Sequence, residues 1–269
     1  MIALYIGSGI AGLLLLVFLL YLLVLIRPSK QKTVDPRLAC DYAHRGLHGG
    51  GIPENSKAAF ENACRAGYGI ELDVQLSCDG EVMVFHDATL VRMTGCHQKL
   101  CELTAKELKN LSLAESDQRI PTFREVLALV NGRVPLLVEL KGETTDASLC
   151  PKVAELLADY QGAYCIESFN PLLVRGMQKL LPHAFCGLLY TNVCRDKKKY
   201  SVLNIALSLM ALNFLAHPHF IAYNKKDLSS LPVKITTGIY RAPAFVWTTR
   251  PSDDERLRAC SAHRIFEKQ

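Results

Sequence analysis

Glu71 and Asp73 stand two residues apart in a strand-like run over residues 69–75, a spacing that puts both carboxylates on one face of a β-strand. If that face points inward, the like charges demand a cation or protonation; on an edge strand both acids would simply meet water. A second pair favours the inward reading. The run 134–140 is apolar except for Glu139, and Lys141 follows on the same face. Glu71, Asp73 and Glu139 together offer three hard oxygen donors, which suit Mg²⁺ or Ca²⁺, with Mn²⁺ also open, better than zinc. Lys141 either brings positive charge to that point or pairs on the surface with Glu143 or Glu139.

Two histidines also follow strand-like runs, in Ala43-His44-Arg45-Gly46 and Val84-Phe85-His86-Asp87. A histidine beside a carboxylate cluster suits proton transfer because its ordinary pKa lies near neutrality. Arg45 offers a planar fork for a phosphate, and Gly46 permits close approach of backbone. A cation, two imidazoles and an arginine point to phosphodiester cleavage. Taken singly, each histidine is more often a structural residue, and the other six have no comparable setting.

Something must hold these residues together. Strand-like runs at 39–43, 69–75, 82–85, 134–140, 163–167, 185–189, 220–223 and 245–248 alternate with helical patterns. Asn55 and Ser56 can cap a helix to about 66, Thr122 one to 130, and helical spacing covers 147–159, 171–181 and 201–215. Alternation of this kind implies an α/β fold with a parallel sheet. About eight strands, with no glycine-rich dinucleotide fingerprint after the first, predict a closed (β/α)8 TIM barrel over residues 39–269. The stretch 88–121 is too long for a simple loop and reads as an insertion, with its own helical signal at 104–111.

Charge is unevenly placed. The first 26 of 269 residues contain no Asp, Glu, Lys, Arg or His, and 2–26 are long enough for one N-terminal transmembrane helix. No basic residue precedes the run, as a signal peptide would want. Arg27, Lys30, Lys32 and Arg37 follow it, in a linker over 27–38, so the positive-inside bias predicts a single-pass membrane protein with a cytoplasmic catalytic domain. Gly7, Gly9 and Gly12 permit close helix contact without fixing an oligomeric state. Ten cysteines without a C-x-x-C pair fit a reducing compartment, and Cys96-His97 with Cys101 lacks the second ligand pair of a zinc site. The net charge of +5 is spread along the chain, and its longest basic run, 195–199, is broken by Asp196; no nucleic-acid partner is expected.

In order and spacing, His44-Arg45-Gly46, Pro53-Glu54-Asn55-Ser56, Glu71-Leu72-Asp73-Val74, Asp79-Gly80 and Val84-Phe85-His86-Asp87 resemble the glycerophosphodiester phosphodiesterase family. Leu90-Val91-Arg92-Met93-Thr94-Gly95, Ile120-Pro121-Thr122-Phe123 and Val138-Glu139-Leu140-Lys141 extend the resemblance, which thins to Ser168-Phe169 and Val246-Trp247-Thr248 later on. The resemblance implies a TIM barrel with its insertion after the second strand, and metal-dependent hydrolysis releasing an alcohol and glycerol 3-phosphate. It implies Glu71, Asp73 and Glu139 as metal ligands, His44 and His86 as general acid and base, Arg45 and Lys141 on the phosphate, and Glu54 in support. In the mechanism it implies, a glycerol hydroxyl attacks phosphorus and water opens the cyclic phosphate.

Where the family closes its barrel with a glycine- and aspartate-containing strand, only Arg264-Ile265-Phe266-Glu267 remains here, so a short or imperfectly paired last strand is expected. Two other functions compete. One is a lysophospholipase D acting on membrane lysophospholipids, favoured by the anchor and by apolar insertion residues such as Leu100 and Leu103. The other is a binding protein that recognises phosphodiesters or lipid headgroups without turnover.

Overall fold

The computed structural model describes residues 2–29, 34–142, 147–253 and 262–268. Lys30, Lys32, Glu143 and Cys260 lie outside them. Among the described residues nine strands form one sheet: β1 (Tyr42–Ala43), β2 (Gly69–Leu76), β3 (Val82–Val84), β4 (Leu136–Leu140), β5 (Tyr164–Ser168), β6 (Phe185–Tyr190), β7 (Phe220–Asn224), β8 (Ala244–Thr249) and β9 (His263–Phe266). All except β3 are parallel, and β1 pairs with both β2 and β9, which closes an eight-stranded barrel. The TIM barrel expected from the alternation is therefore present.

Its staves differ from the expected set in one respect. The 82–85 run does not join the barrel; β3 folds back antiparallel on β2, with Val74 opposite Val84. The eighth stave is instead β9, which is short and irregularly paired with β8. Apolar periodicity marks a strand but carries no direction, so β3 and β9 exchange places in the count.

The strands sort their side chains with period two. On β2, Ile70, Leu72 and Val74 face the helical layer, where they share a cluster with Phe60, Ala63 and Val126. These contacts come from α2 (Lys57–Ala66) and α5 (Phe123–Val130), capped by Ser56 and Thr122. Each fully buried aliphatic side chain of this kind contributes about 1.5–3 kcal/mol. The inner face is apolar toward the amino-terminal end, where Tyr42, Leu137, Cys165, Phe220 and Phe245 pack together. At the other end the alternate positions become acidic.

Before the barrel, α1 (Ile2–Leu20) continues as a π-helical turn over Tyr21–Leu25. The span Tyr5–Leu25 has a mean hydropathy of 2.7, none of it buried as a span, and is long and apolar enough to cross a membrane. The insertion carries α3 (Val91–Thr94) and α4 (Ala105–Leu108) around its own core of Met83, Phe85, Leu90 and Leu100. Leu100 is fully buried and Leu103 packs against the same cluster, so neither forms the lipid contact expected of them. α6 (Leu149–Ala158) and α7 (Pro171–Leu180) follow expectation, whereas 201–215 breaks into helices Val202–Ser208 and Asn213–Ala216. No disulfide joins the described cysteines.

Candidate functional site

The carboxyl ends of β2 and β4 bring the three predicted acids together. Asp73 and Glu139 are register partners, and Glu71, Asp73 and Glu139 each offer an oxygen within 4.8 Å of the others. All three are buried. Lys141 enters this cluster: its Nζ lies 2.9 Å from Asp73 Oδ1 and 2.7 Å from Glu139 Oε1. It is thus a site residue, and not an exposed surface lysine.

A tight turn after β1 supplies the opposite wall. Arg45 and Gly46 both adopt left-handed backbone, with φ of 55° and 79°, and a Cβ at Gly46 would come within 2.9 Å of Ala59 and Phe60. The turn aims the Arg45 N–H at Glu71 Oε2, 2.8 Å away. The Arg45 guanidinium donates to Glu54 Oε1 at 2.7 Å and stands 3.6 Å from Asp73. Asn55 gives up the expected capping role to Ser56, and its Nδ2 instead donates to Asp73 Oδ2 at 2.8 Å.

These neighbours divide the protonation states. Burial opposes ionisation of Asp73, yet Lys141, His86, Arg45 and the Asn55 hydrogen bond hold its pKa well below the usual carboxylate range. Burial pushes Glu139 up to about 7, with Lys141 opposing the rise and Asp73 adding to it. Burial and the charges of Asp73 and Glu139 likewise raise Glu71. One carboxylate is anionic and two resist ionisation among their own kind, which is the condition a divalent cation relieves. Three hard oxygen donors in a buried cluster fit such an ion.

Both predicted histidines flank the cluster with one nitrogen fixed. His44 Nδ1 donates to Glu267 Oε1 at 2.8 Å, and its Nε2 lies 3.9 Å from Glu71. His86 Nδ1 bonds Asp87 Oδ1 at 2.6 Å. Asp87 in turn accepts from Arg92 Nε at 2.6 Å, and Arg92 also donates to Glu54 at 2.6 Å, joining the two walls. Burial keeps the His86 pKa low, against the pull of Asp73.

Four participants were not singled out from the sequence. Glu267 and Asp87 hold the imidazoles, and Arg92 ties Asp87 to Glu54. Glu167 is the fourth: it is the register partner of Glu139, it is 1% exposed, and its Oε2 has no hydrogen-bond partner among the described residues. Burial, then the charges of Glu139 and Glu71, raise its pKa. An acid ending an apolar strand was the signal used for Glu139, and it was equally present in Cys165-Ile166-Glu167.

The family model described as the glycerophosphoryl diester phosphodiesterase family matches residues 44–218. A protein named glycerophosphodiester phosphodiesterase from Caldanaerobacter subterraneus subsp. tengcongensis is 36% identical over 227 residues, covering 80% of this chain and 88% of its own. Among solved structures, a glycerophosphodiester phosphodiesterase from Thermotoga maritima superposes with a TM-score of 0.66 at 25% identity, over 84% of this chain and 94% of that one. An Oleispira antarctica phosphodiesterase in complex with sn-glycerol-3-phosphate gives a TM-score of 0.68 at 22% identity, over 85% and 92%; at that identity the likeness is one of fold. A family match over residues 44–218 and a relative aligned over most of both chains place this chain among the phosphodiesterases: it belongs to the glycerophosphoryl diester phosphodiesterase family.

Proposed function

We propose that this phosphodiesterase hydrolyses glycerophosphodiesters to an alcohol and glycerol 3-phosphate, with Glu71, Asp73 and Glu139 as ligands of one divalent cation, Mg²⁺, Ca²⁺ or Mn²⁺. The observation that carries the reading is the meeting of three carboxylate oxygens within 4.8 Å, flanked by two histidines that each have Nδ1 engaged by a carboxylate. When bound, the cation would polarise the phosphoryl group and neutralise charge on its oxygens.

The remaining steps belong to side chains. Fixing Nδ1 of His44 and His86 leaves Nε2 of each ring to carry a proton. One imidazole takes the proton of the attacking hydroxyl and the other protonates the departing oxygen, and they exchange roles when water opens the cyclic phosphate. Arg45 and Lys141 hold the phosphate. Both are already positioned by acids, Arg45 through Glu54 and Lys141 through Asp73 and Glu139, so little freedom remains to be lost on binding.

The same proposal takes α1 as a single-pass anchor. Its support is the exposed, apolar span Tyr5–Leu25, and the basic residues after it favour a cytoplasmic barrel. The test is a substrate panel on the full chain, with and without chelator. Release of glycerol 3-phosphate from glycerophosphocholine that stops with chelator, and in Glu71→Ala and His44→Ala, is expected; unchanged turnover in both variants contradicts the proposal. Protease accessibility of the barrel in sealed inverted vesicles checks the orientation.

A further inference from the structure

The insertion returns one side chain to the catalytic walls. Leu90 and Met93 are buried in the insertion's own core beside Phe85, and α3 ends on Gly95, whose left-handed backbone lets its N–H donate to the Val91 carbonyl. With those positions turned inward, Arg92 is left half-exposed on the other side of the turn.

Its guanidinium faces two carboxylates at once. Nε donates to Asp87 Oδ2 at 2.6 Å, while Nη2 and Nη1 fork onto Glu54 Oε1 and Oε2 at 2.6 and 3.1 Å. Both acids are shared with the catalytic walls. Asp87 gives its other oxygen to His86 Nδ1 at 2.6 Å, and Glu54 Oε1 also accepts from Arg45 Nη1 at 2.7 Å. An unbroken run of charge-assisted bonds therefore leads from the His86 imidazole to the Arg45 guanidinium, the groups assigned above to proton transfer and to the phosphate.

An exposed ion pair adds little to a fold, so stability is a poor account of three bonds made by a half-exposed arginine. What the run fixes is geometry. Burial opposes ionisation of Glu54 and Asp87, and the bonds from Arg92, helped by Arg45 at Glu54 and by His86 at Asp87, outweigh it and hold both carboxyls below their ordinary pKa. An anionic Asp87 can only accept, which puts the proton of the shared bond on His86 Nδ1 and leaves Nε2 free. A guanidinium presents its donors in one rigid plane, so Asp87 and Glu54 cannot turn independently while it grips both. At a reacting centre a displacement of about 1 Å costs ~100-fold in rate.

We propose that Arg92 is a positioning residue that couples the two catalytic walls: by clamping Asp87 and Glu54 together it sets the His86 imidazole and the Arg45 guanidinium in a fixed relation, and this is what the insertion supplies to the reaction. The proposal rests on the hydrolytic reading given above.

The test uses the full chain with Mn²⁺ and glycerophosphocholine. In Arg92→Ala, kcat/KM is expected to fall about 100-fold, while Mn²⁺ affinity and circular dichroism stay as in the wild type. Ethylguanidine added to the assay should recover about tenfold of that loss, because the vacated position is open to solvent. Arg92→Lys keeps the charge without the fork and should remain about tenfold below the wild type. Asp87→Asn and Glu54→Gln give a second reading that needs no change at Arg92: they cut the same run, so their combined loss should fall short of the product of the single losses by about tenfold. Absence of glycerol 3-phosphate with the wild type would remove the hydrolytic reading. With that reading standing, the proposal is overturned by Arg92→Ala within about threefold of the wild type or unrelieved by ethylguanidine, by Arg92→Lys as active as the wild type, by Mn²⁺ affinity lost with the arginine, or by losses at Asp87 and Glu54 that simply multiply.

Discussion

Glu139 and Glu167 are register partners on β4 and β5, two carboxyl groups side by side inside the barrel, and Glu167 Oε2 is buried without a hydrogen-bond partner among the described residues. Burial and its acidic neighbours raise the Glu167 pKa above the ordinary 4.5. The folded chain therefore binds a proton there that the unfolded chain releases, so this group's stabilising contribution is complete below pH 4.5 and is lost as pH rises toward the folded value. Glu167→Gln removes that dependence. Thermal melts of the metal-free protein should show the variant gaining on the wild type as pH rises from 5 to 8, by about 1–2 kcal/mol at the upper end. A constant difference across that range would contradict the assignment.

Cation binding should follow the same chemistry. Glu139 is pushed up to about 7, and Glu71 is raised as well, so an ion must displace protons from its own ligands. The melting-temperature increase given by a fixed concentration of Mn²⁺ is expected to grow from pH 6 to pH 8. Calorimetry in buffers of different ionisation enthalpy should report protons released. A thermal shift independent of pH would show that the raised carboxyls are not the ligands.

His44 takes its orientation from Glu267, whose own pKa the His44 hydrogen bond lowers to about 2. Glu267→Gln keeps the shape and removes the charge. We expect kcat to fall about tenfold or more, with KM little changed because Glu267 is placed behind the ring. The wild-type pair also stabilises the fold above pH 4.5 and loses that contribution as pH falls toward 2, so the variant should lose its stability deficit in acid. An unaltered kcat would remove Glu267 from the catalytic arrangement.

The turn at Gly46 allows a purely steric check. Its φ of +79° and the 2.9 Å approach of a Cβ to Ala59 and Phe60 leave no room for a side chain. Gly46→Ala should destabilise the fold by about 2 kcal/mol or more in urea titration and reduce turnover by shifting Arg45 away from Glu71. Wild-type stability would mean that the turn relaxes without cost.

Much of this site was legible in the sequence because β2 and β4 write it in period two: Glu71, Asp73 and Glu139 interrupt otherwise apolar runs, and alternation alone assigns them one face. Lys141, Arg45 and the two histidines stand within a residue or two of strand ends, so their positions followed once the strands did. What failed was information that only tertiary structure carries. The 82–84 run is as apolar as a barrel stave, but strand direction is set by its pairing with β2. The helix expected over 201–215 breaks near Met210, which takes a φ of 51°, with no glycine or proline to announce it. Glu267 reaches His44 across 223 residues of chain only because β9 closes the barrel beside β1.

Three carboxylates from β2 and β4 are proposed to hold one ion. Titrating Mn²⁺ into the full chain, with the free ion followed by electron paramagnetic resonance, tests it directly. One tight site per chain is expected, lost in each of Glu71→Gln, Asp73→Asn and Glu139→Gln while circular dichroism shows all three folded. A tight site of unchanged stoichiometry and affinity in any of these variants would contradict it.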